Sequence, residues 1–181
     1  MRLFISINFT ADTRSRLLSL RDELRSRSKQ GNFSLPENLH LTLVFLGECS
    51  AKQTAAAKAA MNAVKFDPFE ITIDRIGRFK RDGGDIWWAG IHGNKQLLNL
   101  QCELADKLIC EGFPLEKREY KPHVTLGREV MTDMAPWQIE PFGETVHKID
   151  LMKSERVGGK LTYTSIYRRG KWEKPIVIAL S

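Results

Sequence analysis

What the sequence lacks excludes several large classes of protein. Its three cysteines, Cys49, Cys102 and Cys110, are an odd number without a CxxC pair. That argues against a disulfide framework or a redox dithiol and reads as reduced thiols. No apolar run approaches the roughly 20 residues of a membrane span, and the opening Met1-Arg2-Leu3-Phe4-Ile5-Ser6-Ile7 turns polar too soon for a secretory leader. Of the four histidines, no two stand at the i, i+4 spacing of a zinc helix, and none has cysteine or carboxylate neighbours at metal-ligand spacing. Gly83-Gly84 and Gly158-Gly159 are turn signals, because a phosphate-cradling P-loop needs Gly-x4-Gly-Lys-Ser/Thr. There is no block of like charge, no low-complexity tract and no tandem repeat of fixed period. The expectation is a cytoplasmic chain that acts as a monomer, has no contact with membrane and needs neither metal nor cofactor.

What is present is an ordinary globular composition, 181 residues with 42% hydrophobic and 28% charged. This suits one domain or two small lobes sharing a core. Lysine and arginine outnumber acidic residues 28 to 22, giving a net charge of +6. The excess is scattered over Arg14–Arg16, Arg25–Lys29, Arg78–Arg81, Lys117–Lys121 and Arg168–Lys174. A basic surface of this kind attracts phosphate-rich partners, although many unrelated proteins share it.

Periodicity places strands at Leu3–Ile7, His40–Leu46, Phe69–Ile73, Ile86–Ile91, His123–Leu126, Val146–Met152 and Leu161–Tyr167, with a further candidate at Ile176–Leu180. Helices are expected at three places. Thr10 or Asp12 caps one carrying Leu17, Leu20 and Leu24, with Gly31 as its stop. Ser50 and Gln53 form a capping box before the alanine-rich run to Val64. Asn94 opens the third, with Leu97, Leu100, Leu104 and Leu108 on one face. Residues 131–141 read as a loop. The order argues for α+β rather than a doubly wound parallel sheet.

One self-similarity carries chemistry. Asn38-Leu39-His40-Leu41-Thr42-Leu43 is echoed by Lys121-Pro122-His123-Val124-Thr125-Leu126, nearly half the chain further on. Alternation puts His40 with Thr42, and His123 with Thr125, on one face of each strand, while the aliphatic residues point into a core. A single His-x-Thr is usually only a polar strand face; two in matching context point to a site. One neutral imidazole can take a proton from water and one protonated imidazole can give a proton to a leaving oxygen, both near neutral pH. Hydroxyls can hold the non-bridging oxygens of a phosphodiester.

On these residues the sequence resembles the bacterial and archaeal RNA 2',3'-cyclic phosphodiesterases, also called 2'-5' RNA ligases, of the two-histidine (2H) phosphoesterase superfamily. The resemblance rests on Pro36-Glu-Asn-Leu-His-Leu-Thr-Leu-Val-Phe-Leu-Gly-Glu48 and Pro122-His-Val-Thr-Leu-Gly-Arg128, the paired His-x-Thr motifs. The opening Arg2–Ile7, Trp88-Ala-Gly90 and the closing Gly159-Lys-Leu-Thr-Tyr163 support it. It implies two pseudo-symmetric lobes, each a small mostly antiparallel sheet backed by helices, around a central cleft. It implies His40 as general acid, His123 as general base, Thr42, Thr125 and Arg128 as phosphate-binding residues, and Phe45 as a base-stacking aromatic. It implies hydrolysis of RNA or nucleotide 2',3'-cyclic phosphate to a 2'-phosphomonoester, with reversible 2'-5' joining of RNA such as tRNA halves. Arg128 and Phe45 each stand five residues after their histidine, so strict alternation turns both to the opposite face. Either the strands bulge or end there, at Gly127 and Gly47, or the two side chains curl around the strand edge.

The alternatives are a binding module that holds a phosphate or nucleotide without turnover, and a 2H phosphodiesterase for another cyclic phosphate or a 2'-5' oligonucleotide. His92 and His147 read as surface residues. Trp87 and Trp88 point to opposite faces, one to the core and one partly exposed, with packing the better reading for both. Tyr120 is equally ambiguous, and Arg78, Lys80 and Arg81 read as a solvated turn.

Overall fold

The computed structural model of the chain describes residues 1–115 and 119–170; the strand candidate at Ile176–Leu180 lies outside them. β1 (Arg2–Asn8) leads into α1 (Ala11–Ser26), and β2 (Gln30–Phe33) and a 3-10 turn at Pro36–Asn38 precede β3 (His40–Glu48) and α2 (Ala51–Ala63). β4 (Phe69–Phe79), β5 (Asp85–Ile91) and α3 (Lys95–Cys110) follow, then β6 (His123–Met131), β7 (Trp137–Val146), β8 (Lys148–Val157) and β9 (Lys160–Gly170).

The helix signals act as read for α2 and α3. Ser50 Oγ accepts from Gln53 N at 3.2 Å while Gln53 Oε1 accepts from Ser50 N at 2.9 Å. Asn94 Oδ1 accepts from Leu97 N at 2.8 Å, and all four α3 leucines at positions 97, 100, 104 and 108 are buried. At α1, Thr10 stands at the N-cap but its hydroxyl donates to Glu144 Oε2 at 2.7 Å and caps no helix N–H.

Three expectations are corrected. Gly31 is not a helix stop: α1 ends at Ser26, and Gly31 lies inside β2, which pairs with β6. A strand of four residues is too short to show a period of its own. Residues 131–141 are not a loop, because β6 runs to Met131 and β7 begins at Trp137 and pairs with β4. β7 is an edge strand, so it tolerates Pro141 and shows weak alternation. β4 continues past Ile73 through a register shift before Arg75, which breaks the two-residue period there.

The strands form one sheet in the order β7-β4-β5-β6-β3-β1-β8-β9, with β2 on β6, and every pairing is antiparallel. The two halves, β3-β1-β8-β9 and β6-β5-β4-β7, meet at a single bridge, Leu41↔Val124. Beyond it, β6 turns the same edge to β2, through Phe33↔Gly127 and Asn32↔Arg128. All three helices contribute to one core cluster with Leu3, Ile5, Ile7, Leu41, Leu43, Val124 and Leu126. The opposite face of the sheet is left to carry the polar members of the motifs.

Candidate active site

The same local event shapes both His-x-Thr strands. Along β3, His40, Leu41 and Thr42 pair with Asn8, Ile7 and Ser6, but Ile5 then pairs with Val44. Leu43 is the extra residue of a bulge, and Leu43 and Val44 are both buried. Phe45 consequently pairs with Phe4 and returns to the face of His40 and Thr42. Along β6, His123, Val124 and Thr125 pair with Gly90, Ala89 and Trp88, and Trp87 then pairs with Gly127. Leu126 is the extra residue, and Arg128 turns to the face of His123 and Thr125. A second shift follows between Trp87 and Asp85, where Glu129 adopts φ 54°. The structure thus brings all six candidate residues, His40, Thr42, Phe45, His123, Thr125 and Arg128, to one face. The Leu41↔Val124 bridge sets Thr42 beside His123 and His40 beside Thr125 in that register.

Both imidazoles are held alike. His40 Nδ1 lies 2.7 Å from the carbonyl of Asn38, and His123 Nδ1 lies 2.6 Å from the carbonyl of Lys121. A carbonyl can only accept, so Nδ1 carries the proton and Nε2 is left for chemistry. His40 Nε2 lies 2.9 Å from Thr42 Oγ1, a contact that serves either protonation state because a hydroxyl both donates and accepts. Each ring also has one edge-on aromatic partner, Tyr163 at 5.2 Å for His40 and Phe79 at 5.1 Å for His123. A second, tilted ring comes from the neighbouring strand, Phe4 at 4.8 Å for His40 and Trp88 at 6.2 Å for His123. Trp88 lies over Gly77, where a Cβ would stand 2.2 Å from the indole. Glycine there is what makes room for the ring beside His123.

Burial pushes both imidazoles below the ordinary value of 6.5. The carbonyl of Asn38 or Lys121 pulls each part of the way back, and the charge of Arg128 lowers both further. The field of His123 also acts on His40. Arg128 is exposed, lies close enough to act on both rings and on Tyr163, and heads the second motif's outer end.

Reciprocal clamps hold the two motifs against each other. Ser34, on the approach to His40, donates its hydroxyl to the carbonyl of Thr125 at 2.8 Å. Tyr120, on the approach to His123, donates its hydroxyl to the carbonyl of Thr42 at 2.8 Å, and burial pushes that phenol far above its usual range. Tyr120 is therefore structural. Sequence reasoning gave no role to Ser34, Phe4, Phe79 or Tyr163. Alternation along β1 places Phe4 with Ser6 and Asn8 and could have flagged it; the others depend on pairings between distant strands. Trp87 is the core member of its pair and Trp88 the member beside the site. His92 is exposed and paired with Asp74 at 2.6 Å, and Arg78 is paired with Asp85 at 3.1 Å, away from the histidines. Among the described residues no three of His, Cys, Asp and Glu cluster as metal ligands, and no helix is long and apolar enough to cross a membrane.

Known proteins resemble the chain in both sequence and fold. The chain is 32% identical over 151 residues to the RNA 2',3'-cyclic phosphodiesterase of Archaeoglobus fulgidus, covering 80% of this chain and 85% of the relative. It is 28% identical over 172 residues to that of Escherichia coli K12, covering 92% and 94%. The fold superposes on the crystal structure of E. coli LigT complexed with 3'-AMP with a TM-score of 0.80 at 26% identity, covering 93% of this chain and 97% of that one. It also matches TT0787 of Thermus thermophilus in fold, with a TM-score of 0.81 at 24% identity, over 94% and 97% of the two chains. The 2'-5' RNA ligase superfamily profile matches residues 9–158, and the chain belongs to that superfamily.

Proposed function

We propose that this chain hydrolyses the 2',3'-cyclic phosphate at RNA ends to a 2'-phosphomonoester by two-histidine acid–base catalysis. The observation that carries the reading is the pair of imidazoles on one sheet face, each with Nδ1 committed to a backbone carbonyl and Nε2 free to move a proton. The relatives named above as RNA 2',3'-cyclic phosphodiesterases support it. His123 removes the proton from the attacking water, and His40 protonates the 3' oxygen as it leaves from the opposite side of phosphorus. Thr42, Thr125 and Arg128 hold the non-bridging oxygens as their charge grows, and Phe45 offers a face to the terminal base. With a ribose hydroxyl in place of water, the same site joins RNA ends, tRNA halves among them, through a 2'-5' linkage.

The deciding experiment is product analysis after incubation with RNA ending in a 2',3'-cyclic phosphate, with and without prolonged EDTA treatment. A 2'-phosphate in undiminished yield is expected in both, because imidazole, hydroxyl and guanidinium groups supply the proton transfer and the charge stabilisation. A 3'-phosphate product would exchange the roles of the two histidines. Loss of activity in EDTA with recovery on adding zinc would overturn the metal-free mechanism, and binding with no product at all would leave a binding module.

The pH profile has a definite sign. Both imidazoles titrate below 6.5 in the free protein, and one must be neutral while the other is protonated. The bell in kcat/KM should therefore peak below pH 6.5, since that parameter reports the free enzyme. The bound phosphate anion stabilises imidazolium, so the bell in kcat should lie at higher pH. A kcat/KM maximum above pH 7 would contradict the description of both rings as desolvated bases beside Arg128.

A further inference from the structure

A single row of paired residues crosses the sheet through the site. In one half it runs Thr42 on β3, Ser6 on β1, Asp150 on β8 and Arg168 on β9. In the other it runs His123 on β6, Gly90 on β5, Arg75 on β4 and Gln138 on β7. Directly paired residues of antiparallel strands share a face, so the row lies on the face of the histidines and carries one arginine on each side of them. The two arginines differ. Arg75 spends Nη1 on Asp74 at 2.7 Å and Nη2 on the carbonyl of Ile91 at 3.1 Å. Arg168 spends only Nε, on Asp150 Oδ1 at 2.7 Å, and among the described residues its two Nη groups donate no hydrogen bond.

Asp150 explains why Arg168 is held at all. Its side chain is 0% exposed, whereas that of Arg168 is 45% exposed. The carboxylate takes Ser165 Oγ at 2.8 Å, and its other oxygen takes Asn8 Nδ2 at 3.0 Å. Asn8 in turn is paired with His40. A buried carboxylate so enclosed fixes the Nε edge of a half-exposed guanidinium and leaves its pair of Nη groups as the donors available to a phosphate.

We propose that Arg168 is a backbone-phosphate contact for the RNA strand that leads into the cyclic-phosphate nucleotide, so that this half of the face reads the length of the substrate. The proposal rests on the reaction proposed above, which puts the ribose and base on the side of His40 and Phe45. With strands about 4.8 Å apart, Arg168 stands roughly 14 Å from Thr42 across the row. A mononucleotide whose own phosphate is seated between the histidines has no second phosphate to offer there; an oligonucleotide has.

The test compares kcat/KM for a 2',3'-cyclic mononucleotide and for a hexanucleotide ending in 2',3'-cyclic phosphate, in the full chain and in Arg168→Gln, Arg168→Lys and Arg75→Gln variants. The hexanucleotide-to-mononucleotide ratio should fall about tenfold in Arg168→Gln, as for one charge-assisted hydrogen bond lost. It should fall less in Arg168→Lys and stay at the wild-type value in Arg75→Gln. Binding of a hexanucleotide ending in 2'-phosphate, followed by fluorescence anisotropy against salt, should lose about one unit of slope in Arg168→Gln. An unchanged ratio, or a fall shared equally by Arg75→Gln, overturns the proposal. Should Arg168→Gln fail to fold because Asp150 is left without its cation, the Asp150→Asn, Arg168→Gln double variant removes both charges and gives the same readout. Wild-type protein that turns over neither substrate would refute the hydrolytic reading, while the anisotropy slopes would still decide the role of Arg168.

Discussion

Replacing either His40 or His123 by alanine should lower turnover of a 2',3'-cyclic phosphate by about 10² to 10⁴, the range set by general acid–base groups. The two losses should not multiply in the double variant, because removing either proton carrier already disables the concerted step. Both variants should melt within a few degrees of the parent. The imidazoles lie half-buried on the face away from the helices, and their hydrogen-bond partners are two carbonyls and the Thr42 hydroxyl, all of which water can satisfy. Assay of the purified variants on cyclic nucleotide, alongside thermal melts, checks both statements. Near-parental turnover in either variant would defeat the two-histidine mechanism, and gross unfolding in either would place that ring in the core.

The second large effect separates two adjacent residues. Trp87→Ala should cost about 3–5 kcal/mol of stability, the usual consequence of deleting a fully buried indole. Trp87 is 0% exposed, packs on Trp137 with ring centroids 6.1 Å apart and lies under the guanidinium of Arg78. Trp88→Ala should cost much less stability and instead lower kcat/KM, by up to about 10²-fold. It removes the ring that packs against both Phe79 and His123 and lets the imidazole shift by a fraction of an ångström. Urea denaturation and steady-state kinetics on the two variants distinguish the outcomes. Equal destabilisation by both would show that the face carrying His123 is packed as tightly as the core.

How much of this was legible in the sequence depended on whether a signal was local. Leu97, Leu100, Leu104 and Leu108 declare their helix because helical spacing lies within a few residues, and Ser50 with Gln53 declares a cap for the same reason. The His-x-Thr faces follow from two-residue alternation alone. The bulges do not, because nothing in Leu43-Val44 or Leu126-Gly127 distinguishes an extra residue from a paired one. The need for a shift was readable from the spacing of Phe45 and Arg128. Gly127 stands at the shift in β6 and Gly47 at a second shift in β3, but the shift that turns Phe45 falls at Leu43, four residues before Gly47. β2 and β7 were missed because their edges and partners are set by β6 and β4, far away in the chain. The row from Thr42 to Arg168 is the extreme case, joining residues of four strands from both ends of the sequence.

The matched bulges also make the two motifs sensitive to length in a way that no substitution reproduces. A strand is a two-state code, in or out, and each bulge is a phase slip that resets the code between the histidine and the fifth residue after it. Substituting Arg128 merely loses a cation. Deleting Leu126 removes the slip along with the residue and leaves Arg128 on its face, whereas inserting one residue beside it keeps the cation but reverses its parity, sending a guanidinium toward the layer occupied by Val124 and Trp87, where an unpaired charge is strongly disfavoured. The same insertion at Leu43 would swing Phe45 away from Phe4 and toward the helices. Between each histidine and its fifth neighbour, then, one aliphatic residue can stand in for another, but their number cannot grow by one.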